Sequence, residues 1–157
     1  MSALDAVAIL VREDGGFVIS TDRARLDLDV IHGFLAQQSY WCRGIPRGVV
    51  ECAVANSLCF GIYGDSGQQV GFARVVTDFA TYGYVADVFV LPEWRGRGLS
   101  KRLMRAVLDH PALQGFRRLT LATRDAQGLY AQFGFTTSRR PDWQMERFNA
   151  TVYGDPL

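Results

Sequence analysis

Long apolar runs are missing from this sequence of 157 residues; none approaches the roughly 20 residues that span a bilayer. The N-terminal residues also lack the charged start and apolar segment of a secretory leader. Cysteine is scarce. Cys42, Cys52 and Cys59 are odd in number and show neither a CxxC pair nor a Cys/His spacing that suits a metal. No metal and no membrane partner are therefore expected, and a reduced, cytoplasmic protein is. Surplus charge is absent as well: 17 Lys and Arg against 16 Asp and Glu leave a formal net charge of +1. That balance gives no bulk attraction to nucleic acid. Repeats, low-complexity tracts and interdomain linkers are lacking too, so residues 1–157 are expected to form a single domain.

What is present is an ordinary globular composition, 48% hydrophobic and 21% charged. Gly15-Gly16 marks a turn and Phe17 to Ser20 a short first strand. After a polar connection Asp29 stands where a helix cap would, and Val30, Ile31, Phe34, Leu35 and Gln38 follow at helical spacing. The aromatic loop Tyr40-Trp41-Cys42-Arg43-Gly44 ends that helix, and Pro46 suits the first turn of a second one reaching Asn56. The period then changes. Strands are predicted over Leu58 to Tyr63, Gln69 to Val76 and Tyr84 to Leu91, the first two joined by Gly64-Asp65-Ser66-Gly67. Leu99, Leu103, Ala106 and Val107 form an amphipathic helix closed by His110-Pro111. A strand over Leu119 to Ala122, a helix over Ala126 to Phe133 ended by Gly134, and a strand pair near Phe135 to Thr137 and Trp143 to Phe148 complete the chain. This order predicts an α/β (α+β) domain whose mixed, mostly antiparallel central sheet is flanked by helices.

The most informative stretch runs from Val88 to Ser100. A buried strand enters the loop Arg95-Gly96-Arg97-Gly98, which opens directly into the amphipathic helix. The first N–H groups of a helix lack intrahelical partners, and the macrodipole concentrates positive charge there. Glycines let the backbone close around an anion and arginines add charge, so the turn suits a phosphate or pyrophosphate. Neither a Walker-type lysine nor a third glycine of a dinucleotide fingerprint accompanies it. Arg95-Gly96-Arg97-Gly98-Leu99-Ser100 resembles the acetyl-CoA signature of the GNAT acetyltransferases, Arg/Gln-x-x-Gly-x-Gly/Ala, with serine at the last position. A second block, Ala126-x-x-Leu129-Tyr130-x-x-x-Gly134-Phe135, is similar to that family's motif near the C-terminus. The family often has Asn three residues before that alanine; here Thr123 stands in its place.

The resemblance implies acetyl-CoA as cosubstrate and an N-acetyltransferase activity on a primary amine. It assigns the backbone of Phe89 and Val90 to the pantetheine amides, and Arg95, Gly96, Arg97, Gly98, Leu99 and Ser100 to the pyrophosphate. Lys101 or Arg102 could reach the adenosine-side phosphate. Tyr130 falls where many members hold a tyrosine beside the thioester sulfur, which implies a general acid for the leaving thiolate. Asp87, polar on an apolar strand, could take the acceptor's proton, hold its cation, or be satisfied by its neighbours. Asp78 and Asp125 are rivals for that part, although Asp125 also suits a helix cap. His32 sits among apolar helix positions and reads as packing. Tyr40, Trp41, Tyr82 and Tyr84 could line an acceptor site, and Arg74 could pair with Asp87. A small-molecule amine is the expected acceptor; a protein amine, or binding of acyl-CoA without turnover, are the alternatives. Family members are often dimers, which implies a possible homodimer.

Overall fold

The computed structural model describes residues 1–154. Its sheet has six strands in the order β1-β2-β3-β4-β5-β6: β1 (Val11–Asp14), β2 (Phe17–Ser20), β3 (Leu58–Tyr63), β4 (Gln69–Thr77), β5 (Tyr82–Val90) and β6 (Arg118–Thr120). Every neighbouring pair is antiparallel except β5 and β6, which are parallel. Helices α1 (Leu28–Gln37) and α2 (Arg47–Ala55) join β2 to β3, α3 (Leu99–Asp109) joins β5 to β6, and α4 (Gln127–Ala131) follows β6. The expected mixed, mostly antiparallel sheet flanked by helices is what forms.

Strand alternation divides the core between the two faces. Leu58, Phe60 and Ile62 of β3 pack with Leu99, Leu103, Met104 and Val107 of α3 on one side. Cys59, Phe72 and Phe89 meet Ile31, Phe34 and Leu35 of α1 and Val50 and Val54 of α2 on the other. A strand buried on both faces carries no polar alternation, which is why β3 reads as a continuous apolar run. Each fully buried Leu, Ile or Phe contributes about 1.5–3 kcal/mol over leaving it exposed.

Several boundaries differ from those expected. The α1 cap is Asp27, not Asp29: its carboxylate accepts from the N–H groups of Asp29 and Val30. Strand β1 was not expected. Its side chains are largely exposed, so no apolar alternation marks it, and the Gly15-Gly16 turn folds it onto β2. Arg102 secures that turn from α3, donating from Nη1 to Asp14 O at 2.7 Å. The C-terminal strand pair is not formed. Residues 135–150 hold only a short 3₁₀ turn, Pro141–Trp143, and the large apolar side chains of Trp143, Met145 and Phe148 are exposed. Without a face to bury, their alternation has nothing to stabilise it as strand.

Candidate active site

Strand β6 stops short, and that opens the site. It pairs with β5 only through Tyr82–Arg118, Gly83–Leu119 and Tyr84–Thr120, whereas β5 continues beside β4 as far as the Val90–Gly71 pair. From Val85 onward one edge of β5 therefore has no strand beside it among the described residues. Leu91 N–H donates to Val70 O at 2.9 Å. In antiparallel pairing Phe89 then also turns its peptide groups to β4, while Val88 and Val90 turn theirs to the open edge. Arg95 reports the same direction, its Nε donating to Val90 O at 3.0 Å. Phe89, expected to offer its backbone, is thus committed to β4, and its ring stacks on Phe34 with centroids 4.0 Å apart. Val88 takes its place at the edge.

A bulge lies beside this edge. Phe72 pairs with Phe89 and Arg74 with Ala86, so Asp87 and Val88 together oppose Ala73. Asp87 adopts a φ of 53°, a left-handed conformation that aspartate tolerates better than most residues. Its carboxylate accepts from Arg74 Nε at 2.8 Å and from Trp41 Nε1 at 2.9 Å. The side chains of Arg74 and Asp87 are only 16% and 11% exposed, so this ion pair is largely withdrawn from water.

The turn after β5 has the form expected of an anion cradle. Gly96 and Gly98 have φ of 78° and 74°, and a Cβ on either would meet no neighbouring atom. Their freedom therefore serves backbone conformation and leaves open space over the turn. Gly98 precedes α3 with no side chain capping the helix, so its first N–H groups are unclaimed by a cap. Leu99 is buried, anchoring the turn, and Ser100 is half-buried. Arg97 stacks over Trp94, 4.7 Å from the ring centroid, and Trp94 abuts Phe17 edge-on at 5.9 Å. Arg102 is occupied by Asp14, which leaves Lys101 as the cation of that pair still available to a phosphate.

Between the diverging strands is a cavity of about 500 Å³ lined by Tyr40, Trp41, Arg74, Tyr84, Asp87 and Tyr130, together with Val85–Val88 of β5 and Leu121–Ala126 beyond β6. Tyr130 is nearly buried, and burial pushes its phenol up to about 12. Burial likewise raises Tyr84. Tyr40 and Arg124 close one wall: Arg124 N–H donates to Tyr40 Oη at 2.9 Å, and its guanidinium lies 3.9 Å from the ring centroid. No cysteine lines the cavity. Burial pushes the Cys42 thiol up to about 11 and that of Cys59 up to about 12, far from thiolates.

Other sequence candidates have different duties. Asp78 Oδ2 accepts from the Thr81 hydroxyl and Oδ1 from the N–H groups of Ala80, Thr81 and Tyr82, shaping the turn before β5, and these bonds, the Thr81 hydroxyl's first, hold its carboxyl well below the usual range. His32 Nε2 lies 3.0 Å from Ile45 O, in the packing between α1 and α2. Thr123, not Asp125, secures the start of the last helix: its Oγ1 accepts from Ala126 N–H at 3.0 Å. Asp125 pairs with Arg124 at 3.1 Å instead. Arg124 and Val88 carry no sequence signal of their own; Val88 becomes visible only once the register and bulge of β5 are known.

The profile of the acetyltransferase (GNAT) domain matches residues 55–137. A crystal structure of a protein assigned to the GNAT family from Xanthomonas campestris pv. campestris superposes with a TM-score of 0.85 at 52% identity, covering 87% of this chain and 96% of that one. Gibberella zeae FG08082, provisionally named an acetyltransferase, is 32% identical over 139 residues, 75% of this chain and 77% of its own length. A structure from Deinococcus radiodurans with 18% identity and a TM-score of 0.69, covering 94% of this chain and all of that one (100%), shares the fold.

Proposed function

Because the chain belongs to the GNAT acetyltransferase family, we propose that it transfers an acetyl group from acetyl-CoA to the primary amine of a small molecule, by direct attack in a ternary complex. One observation carries this reading. The open edge of β5 links the uncapped α3 turn at its end to a cavity holding Asp87 and Tyr130 at its bulge. Acetyl-CoA supplies an activated thioester. The Arg95–Ser100 turn would hold its pyrophosphate, and the Val88 and Val90 peptide groups its pantetheine amides. An N–H of the same edge would receive the developing oxyanion; one such donor is typically worth about 10²–10³ in rate.

In the transfer the amine lone pair attacks the thioester carbonyl carbon, the C–S bond breaks, and the thiolate needs a proton. Tyr130 supplies it, since its raised pKa keeps the phenol protonated at neutral pH. The attacking amine loses its own proton to Asp87, directly or through water, on a lone pair that Arg74 and Trp41 leave free. The lack of a cysteine in the cavity favours direct attack over an acyl-enzyme on this chain.

Acetyl-CoA should raise the melting temperature, by about 2.7 kcal/mol of added stability at a hundredfold excess over its Kd. Free-thiol release is then measured with small amines and with a lysine peptide. Absence of any shift would refute acetyl-CoA binding. A shift without turnover would favour a binding module, and turnover of the peptide alone a protein acceptor.

A further inference from the structure

We infer that the acceptor is a monoamine carried on a flat apolar group, an arylalkylamine in chemical class, rather than a polyamine or an amino sugar. This rests on the transfer reading above and narrows it.

The wall facing Asp87 is aromatic and uncovered. Tyr40, Trp41 and Tyr84 are 44%, 41% and 37% exposed, yet all three line the same cavity. Two of the rings are held in place. Tyr40 and Trp41 meet edge-to-face at 5.0 Å, Trp41 is pinned through Nε1 to Asp87, and Tyr40 is clasped by Arg124. Large rings held in fixed orientation and left open to solvent form a preorganised apolar surface, which a flat substituent covers at little ordering cost.

Charge narrows the class from the other side. The charged residues lining the cavity are Arg74, Asp87, Arg124 and Asp125, and each has its counterion within the lining, at 2.8 Å for the first pair and 3.1 Å for the second. A polycation finds no surplus of carboxylates there, and an anionic acceptor finds no unpaired cation. One ammonium can still approach Asp87. Hydroxyl-rich acceptors fare no better. Trp41 Nε1 has given its one proton to Asp87, and Thr123 Oγ1 and Tyr40 Oη each already accept a bond, from Ala126 N–H and Arg124 N–H. A sugar would have to set most of its hydroxyl groups against ring faces, with only a few phenol groups at the rim to meet them.

The test compares 2-phenylethylamine, n-propylamine, spermidine and glucosamine as acceptors, with acetyl-CoA saturating and thiol release as the readout. We expect kcat/KM for 2-phenylethylamine to exceed that for n-propylamine by at least about tenfold, since a single methylene in an apolar pocket is already worth about 10–200-fold. Spermidine and glucosamine should fall below both. Trp41→Ala and, separately, Tyr84→Leu should shrink the aryl preference by raising KM for 2-phenylethylamine, while the acetyl-CoA thermal shift persists and reports folding. Turnover led by spermidine or glucosamine, or an aryl preference untouched in both variants, would overturn this inference and leave the transfer reading standing. Thiol release with no amine at all would overturn both.

Discussion

Tyr130 and Asp87 line one cavity, the proposed transfer gives them opposite duties, and their surroundings differ accordingly. Burial pushes the Tyr130 phenol up to about 12 from an ordinary value of 10.0. At working pH it can only donate a proton, and it stays a donor over the range in which an exposed phenol would ionise. Tyr130→Phe should lower kcat by about 10²–10⁴ while the acetyl-CoA thermal shift is kept. In the unaltered protein the kcat–pH profile should show no falling limb near pH 10; a limb there would remove the phenol from the acid's role. Asp87→Asn keeps the shape of the side chain and a carbonyl acceptor but removes the charge paired with Arg74. It should cut kcat/KM for the amine by about 10² or more, because Arg74 is left without a counterion and the amine without a proton acceptor. A thermal melt with acetyl-CoA separates that effect from misfolding. That these two residues would stand out was legible in the sequence, Tyr130 inside a spaced block and Asp87 as the polar break in an apolar strand, and both line the cavity. Trp41 as a partner of Asp87 was not, because a 2.9 Å bond between residues 46 positions apart exists only once α1 packs on the sheet. Nor was Phe89's orientation, which depends on pairing register.

Three elements assemble the site: a β6 that ends after Thr120, a bulge in β5, and a turn that starts α3 without a capping side chain. The turn was readable because its glycines, arginines and following apolar stripe are contiguous. The splay was not, since the sequence predicts β6 through Ala122 and only the β5–β6 register shows that pairing stops at Thr120. Strand β1 escaped notice for want of apolar alternation, and Trp143 to Phe148 mimicked a strand that no partner supports. The turn makes a clean prediction. At Gly98 a Cβ would meet no atom of the chain within 4 Å, so the main cost of Gly98→Val is a β-branched residue at a positive φ, at least roughly 1–2 kcal/mol. The new side chain would nevertheless occupy the space above the α3 N-terminus. Acetyl-CoA should then produce no thermal shift, although the ligand-free protein still melts cooperatively. Gly16→Val is the matched control: its φ is 84° and its Cβ position is equally free, but it lies in the β1–β2 turn. That variant should lose similar stability and keep the shift. Equal acetyl-CoA binding by both would refute the cradle.

At the scale of the whole molecule, stability should depend on acid through one buried histidine. His110 follows the last residue of α3 at 2% exposure, its ring against Phe60 of the core that α3 shares with β3. Its Nδ1 accepts from Ala112 N–H at 3.1 Å, which assigns the proton of the neutral ring to Nε2. Nε2 is buried without a hydrogen-bond partner, and the ring meets Phe60 at 5.6 Å nearly perpendicular. Protonating Nδ1 would break the bond to Ala112 and place a charge among apolar side chains, so burial lowers the pKa below 6.5. The unfolded chain takes up this proton near pH 6.5 and the folded chain only at lower pH. Between those values the unfolded state binds more protons, so stability is full above about pH 6.5 and is lost as the pH falls through that window. Melting temperatures measured from pH 7.5 down to pH 5 should decline accordingly. His110→Asn keeps an acceptor for the Ala112 N–H but cannot titrate. It should flatten the decline whatever its stability at pH 7.5, because every other titrating group contributes equally to both proteins. An unchanged slope in the variant would assign the acid sensitivity elsewhere.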